Sequence, residues 1–303
     1  MPRSNVTTRR YTARARAKVN LALEVIRKRR DGFHEIETIL QSIDLCDRLD
    51  IEINRTGKVI TTCTDPEIPT DERNLCNRAV NAMRIHAGGD LGALIHLEKH
   101  IPPSAGLGGG SSDAAAVILA VDRGAALGLS REALEAAAAR VGSDVPFMLY
   151  GGTMFARGRG EVLTPLTTLR QGVFLIVKPP VDISTAWAYK NLNFQLTRHR
   201  YRFNLKAVNA ILARFPDVAL SFRNAFEDVV CPSYPLVYEV LEELLASKPR
   251  FASMSGSGSA VFAIYESEAQ ASQLAGRFSI RGFFTAVAKP SPRAVDLNPA
   301  EVV

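Results

Sequence analysis

From Ala13 to Val25 the chain alternates. Ala13, Ala15, Ala17, Val19, Leu21, Leu23 and Val25 hold the odd positions, and Arg14, Arg16, Lys18, Asn20, Ala22 and Glu24 the even ones. A period of two sustained this long predicts a strand with one buried face. Lys18 and Asn20 then project together from the opposite face, which by default is simply solvated. Residues 36–45 and 49–53 read as two further strands. At 71–83 the period changes: Asp71-Glu72-Arg73-Asn74 opens a helix whose apolar face is Leu75, Cys76, Ala79, Val80 and Met83. Residues 94–97 read as a strand. An alanine-rich apolar run then extends from Ala114 to Leu127, with Ser111-Ser112-Asp113 as its cap. Ser130 to Val141 is a further helix, capped by Ser130 and ended by Gly142. In the second half, 173–177 is a buried strand, 234–248 a helix, and Met254–Ser259 a glycine turn entering a strand.

Composition narrows the class without naming a function. The 303 residues are 47% apolar and 22% charged, as in a globular protein, and no apolar run approaches the ~20 residues that span a bilayer. The net charge of +6 comes from the acid-free start, where Arg3, Arg9, Arg10, Arg14, Arg16 and Lys18 leave 31 bases against 31 acids in the rest. The body therefore offers no continuous basic track for nucleic acid. The strand pattern by Ala13 leaves little to cleave as a transit peptide, so the start is read as a solvated tail. Cys46, Cys63, Cys76 and Cys231 form no CxxC and follow no secretory signal, which reads as reduced thiols in a cytoplasmic protein. His96 and His100 lie four apart on a strand, ~13 Å along one face, which argues against a metal pair.

The stretch richest in backbone meaning is Ile101-Pro102-Pro103-Ser104-Ala105-Gly106-Leu107-Gly108-Gly109-Gly110-Ser111-Ser112-Asp113. Its glycines let successive N–H groups approach an anion, and the helix behind it adds its positive end. No Gly-Lys-Ser/Thr follows, so it is not a Walker loop, and Ser111 replaces the third glycine of a dinucleotide fingerprint.

Pro103 to Ala116 resembles the ATP-phosphate loop of the GHMP kinases. Three further segments agree with one branch of them. Ala15-Arg16-Ala17-Lys18-Val19-Asn20-Leu21 is similar to that branch's Pro-Ala-Lys-Ile-Asn-Leu, with Arg16 where proline is usual. Asp31-Gly32-Phe33-His34-Glu35 is similar to Asp-Gly-Tyr-His-Glu, and Gly142-Ser143-Asp144-Val145-Pro146-Phe147 to Gly-Ala-Asp-Val-Pro-Phe. Ile183–Tyr189 and the turn Gly256-Ser257-Gly258 resemble the family's later motifs.

The resemblance implies an α+β, two-domain fold, with a ribosomal protein S5 domain 2-like N-terminal domain over 1–163 and a C-terminal α/β sandwich over 164–303. It implies ATP with Mg²⁺, and transfer of a phosphoryl group to the 2-hydroxyl of a cytidine diphosphate-linked polyol that leads to isoprenoid precursors. The alternative is another member acting on a sugar or mevalonate derivative. Lys18 and Asp144 become the catalytic pair, although an Asp in this setting serves equally as a turn cap. Pro103, Ser104, Ala105, Gly106, Leu107, Gly108, Gly109, Gly110, Ser111, Ser112, Asp113 and Asn74 are implied at ATP; Asn74 is as well explained as a helix N-cap. Asn20, Phe33, His34, Thr185, Tyr189, Gly256, Ser257 and Gly258 are implied at the acceptor, with the cytosine stacked between Phe33 and Tyr189. A core aromatic is the competing account of Tyr189. No metal ligand is assigned, and the expected state is a monomer or homodimer.

Overall fold

The computed structural model describes residues 8–192 and 203–300. Arg3, in the basic start, lies outside them. Strands β1 (Arg9–Lys28) and β2 (His34–Asn54) form a long antiparallel pair. β1 thus begins before Ala13, and Arg9 and Arg10 belong to it rather than to a solvated tail. The two strands read at 36–45 and 49–53 are one. The register slips between Arg16↔Cys46 and Lys18↔Ser42, and the extra residues on β2 interrupt its alternation at that point.

The first sheet continues through β3 (Val59–Cys63), helix α1 (Leu75–Ala87), β4 (Gly92–Glu98), α2 (Gly109–Gly124), α3 (Arg131–Val141), the short α4 (Val145–Met148), β5 (Thr153–Gly158) and β6 (Val162–Pro165). β7 (Val173–Lys178) starts the second sheet, followed by α5 (Thr185–Asn191), α6 (Leu205–Ala213), α7 (Glu227–Ser233), α8 (Pro235–Ala246), β8 (Phe251–Met254), β9 (Val261–Tyr265), α9 (Glu268–Ile280), β10 (Phe284–Ala288) and β11 (Val295–Pro299). The first sheet runs β11-β1-β2-β4-β3, with β5 on β2 and β6 on β5; the second is β10-β7-β9-β8. This is the α+β arrangement expected. The last strand, however, pairs with the first. The division expected at 163/164 falls within β6, and β11, from the second half of the chain, completes the first sheet, a pairing that nothing in a five-residue strand announces.

β1 runs through all three cores. Ala13 and Ala15 pack with α1, α2 and α3; Ala17, Val19 and Leu21 meet Phe174, Ile176, Phe262 and Ile264 of the second sheet; Leu23 and Val25 join α7 and α8. Its even face is buried too from Arg16 to Glu24, contrary to the one-faced strand expected. The cause is the glycine loop on one side and the second sheet on the other. Helix α2 is buried nearly all round, with Ala114, Ala115, Ala116, Val117 and Ile118 fully covered. Its small side chains let it lie close to the sheet beneath α1 and α3.

Candidate active site

Two cavities meet at the glycine loop. One, of about 770 Å³, is lined by Lys18, Asn20, Phe33, His34, Asp144, Tyr189, Gly256 and Ser257 among others. The second, of about 480 Å³, is lined by Asn74, the loop from Pro103 to Ser111, and Asp113. Gly106, Gly108, Ser111 and Thr185 face both. A donor in the smaller chamber and an acceptor in the larger would thus touch at the start of α2. Of the residues expected here, Ser112 and Gly258 line neither cavity; Ser112 is fully buried inside the first turn of α2.

Helix α2 starts earlier than its sequence suggests. Gly108, at φ +71, occupies the cap position, no side chain caps the helix, and Ser111, Ser112 and Asp113 lie inside its first turns. The uncapped amides and the positive end of the dipole are left for an anion. The glycines have a second reason to be there. A Cβ on Gly106, at φ +73, would collide with the Ser255 carbonyl; one on Gly108 would lie 2.5 Å from Met148 Cε and 3.1 Å from Lys18 Cγ. The loop is therefore pressed onto the third glycine turn and onto Lys18 itself. Ser255 Oγ donates to the Gly106 carbonyl (2.9 Å), and the Ala260 amide to that of Ala105 (3.2 Å).

Lys18 Nζ donates to Asn20 Oδ1 at 2.6 Å and lies 3.5 Å from Asp144 Oδ2. Asn20 Nδ2 in turn donates to Thr38 Oγ1 (2.8 Å), whose hydroxyl donates to the Ala22 carbonyl (2.6 Å). The Lys18 side chain is only 5% exposed while that of Asp144 is 37% exposed, so the lysine is fixed and the carboxylate faces the cavity. Although Asp144 stands where a cap of α4 would, its side chain makes no capping bond. Asn74 does cap: Oδ1 accepts from the Cys76 amide at 2.9 Å, and the same residue lines the nucleotide-side cavity.

At the far end of the larger cavity the aromatic groups are arranged differently from the expected sandwich. Tyr189 stacks on His34, centroids 4.4 Å apart and planes 11° from parallel. Phe33 is 51% exposed, with the Arg159 guanidinium 4.8 Å above its ring. Phe33 and His34, the two residues after the turn glycine Gly32, thus meet different partners, and it is His34 that stacks on Tyr189. Tyr189 also packs on Phe226 and the second core, and burial, then the nearby Asp144 charge, push its hydroxyl up to about 12. Burial, then Lys28, hold the His34 imidazole below its usual value. Thr185 Oγ1 and Ser257 Oγ share a hydrogen bond of 2.9 Å across the cavity wall.

Three residues outside the expected set hold the site together. Asp47 and Lys99 form a buried cluster with Asp113: Lys99 Nζ bonds Asp47 Oδ2, and Asp113 Oδ2 at 2.7 Å. Asn224, fully buried, donates to the Met254 and Gly256 carbonyls at 2.7 and 2.8 Å, while its neighbours are bonded to the backbone of Leu23. Asp47 is one of three acids, with Asp44 and Asp50, in the part of β2 where the alternation fails, so neither it nor Asn224 had a distinguishing signal in the sequence.

Among the described residues no group of three or more His, Cys, Asp or Glu could hold a metal ion. The junction offers the Ser111 hydroxyl and the Asp144 carboxylate, a partial donor set that suits an ion keeping phosphate and water ligands.

The GHMP kinases N terminal domain model matches residues 74–152, and the GHMP kinases C terminal model residues 205–282. The chain is 42% identical over 274 residues to a 4-diphosphocytidyl-2-C-methyl-D-erythritol kinase of Synechococcus sp., covering 86% of each. It is 40% identical over 260 residues to the enzyme of that name from Geobacter metallireducens, covering 86% of this chain and 91% of the other. A crystal structure of 4-(cytidine 5'-diphospho)-2C-methyl-D-erythritol kinase superposes with a TM-score of 0.78 at 33% identity, over 92% of this chain and 100% of that one. Homoserine kinase from Cytophaga hutchinsonii, at 17% identity and a TM-score of 0.69 over 98% and 99%, shares the fold.

Proposed function

Since the chain belongs to the GHMP kinases, and among them to the 4-diphosphocytidyl-2-C-methyl-D-erythritol kinases it matches over most of its length, we infer that it transfers the γ-phosphoryl group of ATP to the 2-hydroxyl of 4-diphosphocytidyl-2-C-methyl-D-erythritol. The products are ADP and the 2-phosphate, in the non-mevalonate route to isoprenoids. The observation that carries this reading is the meeting of two cavities at Gly106, Gly108 and Ser111, with Lys18 and Asp144 on the acceptor side.

ATP places its phosphates against the amides at the start of α2, and the acceptor hydroxyl lies at Asp144. Asp144 takes the hydroxyl proton as the new bond forms, and Lys18, held by Asn20, orients Asp144 and offsets charge on the reacting oxygens. Mg²⁺ would accompany ATP and supply neutralisation of phosphate charge, and Ser111 and Asp144 are the residues at the junction that would hold it. The cytosine binds at the aromatic end of the larger cavity, where Tyr189, His34 and Phe33 offer stacking faces and Thr185 and Ser257 hydrogen bonds. Among the described residues no helix is long and apolar enough to cross a membrane; we place the protein in the cytoplasm, with its four cysteines free.

The test is ADP release with the cytidyl substrate, mevalonate and galactose in parallel. Turnover with the cytidyl substrate alone is the expected result. Comparable turnover with either of the others would transfer the reading to a different GHMP acceptor.

A further inference from the structure

The cluster under the nucleotide-side cavity does more than fill the core. Lys99 follows β4, Asp47 belongs to β2 and Asp113 to the first turns of α2, so one ammonium joins the segment before the glycine loop, the sheet beneath it and the helix after it. The three side chains are 6%, 0% and 3% exposed. Asp47 spends its other oxygen on the loop's leading segment, accepting from the amides of His100 (2.6 Å) and Ile101 (2.8 Å). Burial of this kind is costly for charges, and it persists only where each is paired. Here two carboxylates share one lysine, and Asp113 Oδ1 is buried with no partner among the described residues. Burial opposes the Lys99 charge, but the two carboxylates outweigh it and hold the ammonium above its usual range; burial and Asp47 push Asp113 up to about 7 despite Lys99.

We propose that Lys99 is a positioning residue for ATP: through Asp47 and Asp113 it fixes the two ends of the glycine loop, and so the spacing of the amides that receive the phosphates. The proposal rests on the nucleotide side of the function given above, not on the identity of the acceptor. Lys99→Met leaves two buried carboxylates facing each other. Lys99→Met combined with Asp113→Asn leaves one, Asp47, still bonded to the two amides, and this double variant is the one expected to fold.

The measurements are Kd for ATP by calorimetry and KM for each substrate. The double variant should bind ATP at least tenfold more weakly, with KM for the cytidyl substrate within twofold of the parent. Unchanged ATP affinity, or equal losses for both substrates, overturns the proposal. Failure of the parent to phosphorylate the cytidyl substrate would instead remove the acceptor assignment and leave the ATP measurement standing. Hydrogen exchange on the unmodified protein decides the matter if neither variant folds: the amides of residues 100 and 101 should be as protected as those of β4, and fast exchange there overturns it.

Discussion

A carboxylate is a far weaker base than an alkoxide, so it cannot hold an alcohol's proton in the ground state. In a loose, metaphosphate-like transition state the bond to the nucleophile forms late, and its proton becomes acidic only then. Asp144→Asn keeps the size and a hydrogen bond but loses the acceptor, so kcat should fall by ~10²-fold or more with both KM values little changed. Steady-state rates check this; a kcat within about threefold of the parent would leave Asp144 without a chemical role. Tyr189→Ala should weaken binding of the cytidyl substrate by about 1–3 kcal/mol, and Phe33→Ala by less, because half of Phe33 already faces solvent. Calorimetric titration with that substrate separates the two, and parental affinity in both would move the cytosine elsewhere. At this scale the sequence was informative through the family motifs rather than the residue types, each of which had a bland alternative: Lys18 and Asp144 are brought within 3.5 Å. It failed on the aromatic pair, because which neighbour of a turn glycine points inward depends on backbone direction that adjacent residues do not encode.

A glycine loop invites the explanation that every glycine makes room for phosphate, and the contacts divide that role. Gly106 and Gly108 have positive φ, and a Cβ on either meets protein, while Gly110 is exposed with Leu75 Cδ1 at 3.6 Å as its nearest neighbour. Gly106→Ala should therefore lower the melting temperature and ATP affinity together. Gly110→Ala should melt with the parent, so any rise in KM for ATP reports a methyl group against the phosphates alone. Thermal unfolding beside ATP titration tells these apart, and equal melting temperatures for the two variants would contradict the packing role of Gly106. Two helix caps were legible, since Ser130 accepts from the Ala133 amide and Asn74 from that of Cys76, while helices such as α6 and α9 were not read at all. The start of α2 was not, because a left-handed glycine can take the cap position without any side-chain signature.

The whole molecule is closed by its last strand, and one residue that departs from the family pattern sits at that closure. Arg16 stands where the related signature has proline, and its amide donates to the Ala294 carbonyl at 2.8 Å, a bond proline cannot make. Its guanidinium also pairs with Asp296 of β11. Ala294 in turn donates to the Tyr150 carbonyl, just past α4, so the segment before β11 links the strand carrying Lys18 to the helix following Asp144. Arg16→Pro removes the amide and the ion pair together. Against this, Arg16 Nε and Nη1 are buried without partners among the described residues, and losing them recovers part of the cost. The unpaired Ala294 carbonyl, fully buried, should dominate, for a net loss of about 1–3 kcal/mol and a melting temperature lower by a few degrees. The sign of the pH dependence follows from Asp296, whose carboxyl is held below its usual range by the hydrogen bond from Arg16, then by the Arg16 and Arg293 charges. A depressed carboxylate contributes stability above its unfolded pKa, about 3.9, and loses it as pH falls through the folded value. The gap between parent and variant should thus be widest near neutrality and narrow below about pH 4, leaving the pH-independent part due to the backbone bond. Thermal unfolding from pH 7 to pH 3 measures it, and a variant as stable as the parent at pH 7 would show that β11 is held without Arg16.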